Sequence, residues 1–181
     1  FLAHGAIDGA RRAFQQVISR VAGREFEAIA RFNLALVAAS RGESADAVEG
    51  LIAAAEGHRT LALVPPRFAI EDVHGRDSTR LTLLCRDRET NEKLELVIST
   101  LGRAATRSER RRFNDEVHRL AEVDHPSVRG VRGGFDDRRN FGILAEPHPG
   151  FILADTLAEA DGPMALAKAF EILGPLMDGL A

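Results

Sequence analysis

The sequence predicts an α+β fold in which helical hairpin repeats precede a five-stranded antiparallel sheet with one packed helix. Three observations lead to this prediction. Apolar residues recur three and four positions apart up to about residue 58, which is the period of amphipathic helices. After Pro65 and Pro66 the apolar residues alternate instead, as they do in strands. One helical pattern then returns within the stretch ATRSERRRFNDEVHRLAEVDHP. We therefore predict a helical segment over residues 1–62 and a second domain over residues 66–181.

Composition limits the classes of function. The chain has 181 residues, with 24 Lys and Arg against 27 Asp and Glu, so its charge does not favour nucleic acid or an anionic membrane. Its apolar stretches are much shorter than the roughly 20 residues that cross a bilayer, so we expect no membrane span in this segment. A single cysteine, Cys85, excludes an internal disulfide framework. A cytoplasmic location is the expectation, and the start without Met indicates a piece of a longer protein.

The helical segment contains small residues at regular spacings around a glycine. In NLALVAASRGESADAVEGLIAAAE, Gly42 falls between two helical patterns, and the other positions of the spacing are Asn33, Leu34, Ala35, Ala38, Ala47, Leu51 and Ala54. This pattern resembles a tetratricopeptide repeat, in which small residues allow paired helices to touch. The resemblance implies that protein partners bind the inner helical surface, near Asn33 and Val37. A plain helical hairpin is the alternative.

The second half begins with three strand patterns, FAIEDVHG, TRLTLLCRD and KLELVIST. In the third, Leu94, Leu96 and Ile98 share one face, whereas Glu95 and Val97 share the other. We expect Cys85 to be packed in the core.

The helix that follows these strands begins with a predicted capping box, because Glu109 lies three residues after Thr106. Phe113, Val117 and Leu120 form its apolar face, and Glu116 lies at the edge of that face. A basic cluster predicts a solvated helix surface, with a docking face for a phosphorylated or acidic partner as the alternative. Its members are Arg103, Arg107, Arg110, Arg111 and Arg112.

These blocks together resemble the N-terminal lobe of a bacterial Ser/Thr protein kinase. The resemblance covers residues 66–181 and rests on the order and spacing of a few features. They are Cys85-Arg86-Asp87 before a polar hairpin, Glu116 nine residues before His125-Pro126, and Glu146 at the hinge before LADTL.

The resemblance also implies the positions of an ATP site, and most of them are altered here. Kinases have three glycines in a phosphate-covering loop, whereas this sequence has Gly75, Asp77 and Arg80. The kinase motif V-A-I-K places alanine against the adenine and lysine on the phosphates. Glu95 then falls at the adenine wall and Val97 at the lysine position. The partner glutamate of that lysine corresponds to Glu116. Without the lysine, Glu116 either turns to solvent or pairs with an arginine such as Arg80 or Arg103, and we favour the arginine.

These substitutions favour a degenerate, pseudokinase-like regulatory or scaffold module that binds protein partners, without catalytic residues, a metal or a bound cofactor. The alternative is a fragment of an ATP-dependent Ser/Thr protein kinase, with ATP and Mg as its cofactors. A third hypothesis treats the kinase-like lobe as a spacer for the repeats. The apolar residues Phe151, Ile152, Leu153, Phe170 and Leu176 predict possible self-association.

Overall fold

The computed structural model describes residues 4–20, 23–76, 80–99, 106–124, 129–136 and 140–147. Three helices come first, followed by a short 3-10 turn, three strands, a fourth helix and two more strands. Their bounds are α1 His4–Arg20, α2 Arg24–Ser40, α3 Ser44–Gly57, the 3-10 turn Arg59–Leu61, β1 Phe68–Arg76, β2 Arg80–Asp87, β3 Lys93–Ser99, α4 Arg107–Ala121, β4 Val131–Asp136 and β5 Phe141–Ala145. The α+β prediction is confirmed. The five apolar residues linked to self-association lie outside the described residues.

The five strands form one antiparallel sheet in the order β1-β2-β3-β5-β4. Strand β3 lies at its centre, where Leu96 is opposite Leu83 on β2 and Leu144 on β5. Val97 is opposite Ile143 on β5. Residues directly opposite one another share a face, so the predicted alternation of β3 is confirmed.

The main core lies between one face of the sheet and helices α2 and α3. Leu83, Cys85 and Leu96 are each 0% exposed, and they belong to the same apolar cluster as Ala47 and Leu51 of α3. Burial raises the pKa of the Cys85 thiol to about 12, which suits a packed side chain and not a reactive one. The division between residues 1–62 and 66–181 stays a prediction, and the contacts place α2 and α3 directly on the sheet.

Helices α2 and α3 form a tight hairpin. Gly42 in their turn has φ of +74°, a left-handed conformation that favours glycine. A Cβ at Gly50 would lie 2.8 Å from the Cβ of Ala35, so small residues allow the close helix contact. The hairpin is confirmed, whereas its assignment as a tetratricopeptide repeat stays a hypothesis.

Helix α4 packs on the opposite face of the sheet, next to β4 and β5. The predicted capping box is confirmed, since the Thr106 hydroxyl accepts from the Glu109 amide and Glu109 accepts from the Thr106 amide. Val117 is buried, and the ring of Phe113 meets that of Phe141 edge to face at 4.7 Å. The prediction for Leu120 is wrong, because this side chain is 44% exposed.

The β2–β3 hairpin is fixed by a buried aspartate. Asp87 is 2% exposed, and its carboxylate accepts from Arg67 Nε at 2.8 Å and from the Glu89 amide at 2.9 Å. Asn91 completes the turn with φ of +61°, a conformation that asparagine tolerates.

Among the described residues, none of the helices combines the length and the apolar character that a membrane span requires.

We expect Leu51→Ala to destabilise the protein by about 2–5 kcal/mol, because it opens a cavity in the core shared by α3 and the sheet. Urea unfolding followed by circular dichroism measures this loss. The matched control is Ile52→Ala, since Ile52 is 42% exposed and should change stability by no more than about 0.5 kcal/mol. Amide hydrogen exchange should show that β3 loses protection along with α3. Full protection in β3 with loss only in α3 would contradict the shared core.

We also expect stability to fall as the pH drops from about 4 to about 2 through protonation of Asp87. The hydrogen bonds from Arg67 lower the pKa of this carboxyl from its ordinary 3.8 to about 2. A lowered folded-state pKa contributes stability above the unfolded-state value, and this contribution disappears as the pH falls through the folded-state value. Asp87→Asn should therefore lower the urea midpoint at neutral pH and flatten its decline in acid. The exposed control Asp115→Asn should leave the pH profile unchanged, and a shared profile for both variants would refute the assignment.

Candidate functional site

The candidate site lies on the face of the sheet that carries Glu95 and Val97. Glu95 is opposite Ala145 of β5 and Leu84 of β2, while Val97 is opposite Ile143 and Thr82. Strand pairing therefore puts the apolar Val97 between Thr82 and Ile143, and its equivalence to the phosphate-binding lysine of kinases stays a prediction. This face of the sheet, called the wall from here on, combines apolar side chains such as Val97 with the carboxylate of Glu95.

Glu95 is the buried charge of this wall, with a side chain only 3% exposed. His74 Nδ1 on β1 lies 2.9 Å from Glu95 Oε1, so a proton on Nδ1 is donated to the carboxylate. The guanidinium of Arg129, just before β4, forms an ion pair with Glu95 Oε2 through Nη2. A buried carboxylate without such partners would be strongly destabilising. The two basic side chains therefore account for the burial of Glu95.

Arg129 also connects this wall to the hinge. Its Nε donates to the backbone carbonyl oxygen of Glu146 at 2.6 Å, directly after β5 ends at Ala145. The Glu146 amide in turn donates to the Gly130 carbonyl at 2.9 Å. The Glu146 carboxylate faces another arginine, with Arg132 Nη2 at 2.7 Å from Oε1. One guanidinium thus spans from the buried wall to the hinge backbone.

The residues at the predicted phosphate loop have other roles or lie outside the described part of the chain. Gly75 has no heavy atom within 4 Å of a Cβ built on it, so close packing does not require glycine there. Arg80 is exposed at the start of β2, and Asp77 lies outside the described residues. Arg76 could have turned toward phosphate, but its Nη1 donates to the Leu36 carbonyl at 2.9 Å. It therefore contacts the C-terminal part of α2.

Glu116 pairs with an arginine of its own helix. Its Oε1 lies 3.2 Å from Arg112 Nε one turn earlier on α4, and the Glu116 side chain is 56% exposed. Its exposure to solvent therefore removes the need for a distant partner, and Arg103 lies outside the described residues. The solvated surface predicted for the basic cluster is wrong for Arg110, which pairs with Asp136 and lies 5.2 Å above the Phe141 ring.

Sequence reasoning missed His74 and Arg129, which hold the predicted wall residue Glu95. They are 21 and 34 residues away from it in sequence, so no local spacing indicates either contact. A usable signal existed, since a carboxylate on a buried strand face requires a cation from a neighbouring segment. Among the described residues, no group of three or more His, Cys, Asp or Glu side chains could hold a metal ion.

The sheet order, the α4 packing and the hinge after β5 define a protein-kinase-like fold of the N-terminal-lobe type. A crystal structure of the Mycobacterium tuberculosis PknI kinase domain, a cysteine-to-alanine variant, is similar to this chain with a TM-score of 0.57 and 17% identity. The match covers 65% of this chain and 49% of that one. Another structure of the PknI kinase domain gives a TM-score of 0.55, 17% identity, and coverage of 65% and 48%.

The chain therefore spans about half the length of the kinase domains that it matches. No family model and no curated protein matches the sequence.

These structures correct two expectations from the sequence. The expectation that this segment is not an enzyme is wrong, because the solved structures that share its fold are kinase domains. The expectation of no cofactor is wrong for the same reason, since kinase chemistry uses ATP with Mg.

In the described conformation, the site residues do not fit an adenine base. A base against the Glu95 wall and beside the hinge would need the volume that the Arg129 guanidinium occupies between Glu95 and the Glu146 carbonyl. Val97 also provides no positive charge for phosphate. The nucleotide of this fold class therefore requires a rearrangement of these side chains.

Proposed function

We propose that this chain forms the N-terminal lobe of an ATP-dependent protein kinase domain that modifies serine or threonine, with helices α1–α3 packed beside it. The observation that carries this proposal is the five-stranded sheet in the order β1-β2-β3-β5-β4 with α4 on one face, which is the fold shared with the PknI kinase domain. The activity is proposed for the whole protein, because the chain spans about half of such a domain.

The lobe contributes a wall and a hinge to this proposed domain. When bound, Mg-ATP supplies the phosphoryl group that a kinase transfers. This chain's own residues hold the wall rigid, because β3 is paired on both sides. Among the described residues, the basic side chains that contact Glu95 of this wall include Arg129 and His74. Val97 is apolar, and Glu116 pairs with Arg112.

We expect the intact protein to bind Mg-ATP saturably, with a dissociation constant of about 1 mM or tighter, which corresponds to about 4 kcal/mol. Isothermal calorimetry measures the binding, and transfer of labelled phosphate to serine- and threonine-containing peptides measures the activity. Magnesium with inorganic tripolyphosphate is the control, because it tests phosphate binding without the base. The absence of both binding and transfer at several millimolar Mg-ATP would refute the kinase proposal.

A second proposed function is protein binding by helices α1–α3. A cleft of about 200 Å³ lies among these helices, with Leu34 and Val37 on its apolar side. Its charged side includes Arg11 Nη1, which pairs with Glu43 Oε1 at 3.1 Å. Asn33 lines a different cleft, and its amide donates to the Ile29 carbonyl at 2.8 Å. The cleft supports binding of a partner at Val37. Asn33 belongs to the same helix, but it lines the other cleft.

We expect Val37→Asp to remove partner binding while keeping the helices, because it places a charge on the apolar side of the cleft. Affinity capture with the intact protein, followed by mass spectrometry, identifies the partners lost. Ile52→Asp, an exposed position on α3, is the matched control and should retain them. If circular dichroism shows lost helicity in Val37→Asp alone, the residue has a structural role and the cleft is not the partner site.

A further inference from the structure

We propose that Arg129 is an internal latch that closes the nucleotide site of this lobe, and that ATP binds only when its guanidinium leaves the hinge. This inference rests on the proposed kinase function and concerns regulation of the same site. The observation behind it is that a single side chain bridges the wall and the hinge. Nε donates to the Glu146 carbonyl at 2.6 Å, and Nη2 pairs with the Glu95 carboxylate.

Arg129 makes the kind of contacts that a bound ligand would make with this site. A planar group with several N–H donors lies against the β3 wall and donates to a hinge carbonyl. An adenine base is also planar and also carries N–H donors. The guanidinium and the base therefore compete for the same place, so the Arg129 side chain blocks binding of the base.

The two ends of this bridge differ in mobility. Glu95 is fixed in the central strand, with a side chain 3% exposed. Arg129 precedes β4 outside any strand, and its side chain is 32% exposed on a flexible stem. Rotation of Arg129 toward solvent would free the Glu146 carbonyl while the backbone of the sheet stays in place. The mobile part of the latch is therefore the arginine.

Release of Arg129 does not leave the buried carboxylate alone. His74 Nδ1 remains 2.9 Å from Glu95 Oε1, and His74 Nε2 lies 3.7 Å from Asp72 Oδ2, so the histidine has a carboxylate on either side. Loss of one partner from a buried ion pair is unfavourable, which keeps the latch closed without nucleotide. The remaining histidine makes the open state accessible.

The latch predicts a weakened apparent affinity for nucleotide. When only a fraction of molecules is open, the apparent dissociation constant rises by the inverse of that fraction. An open population of about 10% would weaken binding about tenfold. Removal of the latch should therefore strengthen nucleotide binding by the same factor.

The diagnostic variant is the double substitution Glu95→Ala with Arg129→Ala in the intact protein. Removing Arg129 alone would take one basic partner from the buried Glu95, whereas the double variant removes both charges and opens the wall. Calorimetry should show Mg-ATP binding at least about tenfold tighter than in the unmodified protein. Arg132→Ala is the matched control, because Arg132 also contacts Glu146 but through an exposed side-chain pair at 2.7 Å. The affinity of Arg132→Ala for Mg-ATP should equal that of the unmodified protein.

A second measurement uses the unmodified protein and does not depend on folding of the variant. The Arg129 Nε–H resonance, identified by its loss in Arg129→Ala, should shift or broaden as Mg-ATP saturates the site, because its bond to the Glu146 carbonyl is broken. Thermal unfolding shows whether the double variant is folded. A folded double variant without tighter binding, or an Arg129 resonance unchanged at saturation, would overturn the latch and leave the kinase proposal intact. Failure of both proteins to bind Mg-ATP would instead overturn the nucleotide site and the latch together.

Discussion

Strand β3 lies in the middle of the sheet with side chains buried on both faces, so a different part of the chain must cover each face. Leu94, Leu96 and Ile98 lie in the apolar cluster with α2 and α3. Glu95 is buried on the other face by contacts with His74 and Arg129. The apolar face is stabilised by removing hydrocarbon from water, whereas the opposite face requires paired charges. The packing of the helices and the geometry of the site therefore follow from one strand.

The burial of Glu95 also determines where the site is stiff and where it can move. Its carboxylate lies on a strand with hydrogen-bonded neighbours on both sides, so the charge cannot reach solvent without disrupting the sheet. Its partners must come to it from β1 and from the segment before β4. Arg129 has donors beyond those used by Glu95, and one of them reaches the Glu146 carbonyl. The electrostatic requirement of the wall thus connects the sheet to the hinge.

The elements that sequence predicted correctly depend on local patterns. Alternation placed β3 and its two faces, the Thr106–Glu109 spacing placed the start of α4, and Gly42 placed the α2–α3 turn. The errors concern contacts between distant residues or exposure at a helix edge. The contact of Arg129 with Glu95 was missed, and Leu120 of α4 is exposed. Gly142 is a close approach that no motif marked, since a Cβ there would collide with the Val97 carbonyl and lie 2.8 Å from the Phe135 ring.

The same alternation explains how a kinase-like fold can carry an unusual site. Packing of α2 and α3 uses the even-numbered residues of β3, whereas the wall uses Glu95 and Val97. Side chains on one face can change without moving the other, because successive residues of a strand point in opposite directions. The fold can therefore carry Glu95 and Val97 on this face, provided that the buried carboxylate finds basic partners. Arg129 and His74 meet that condition, and the geometry that holds Glu95 also places a guanidinium at the hinge.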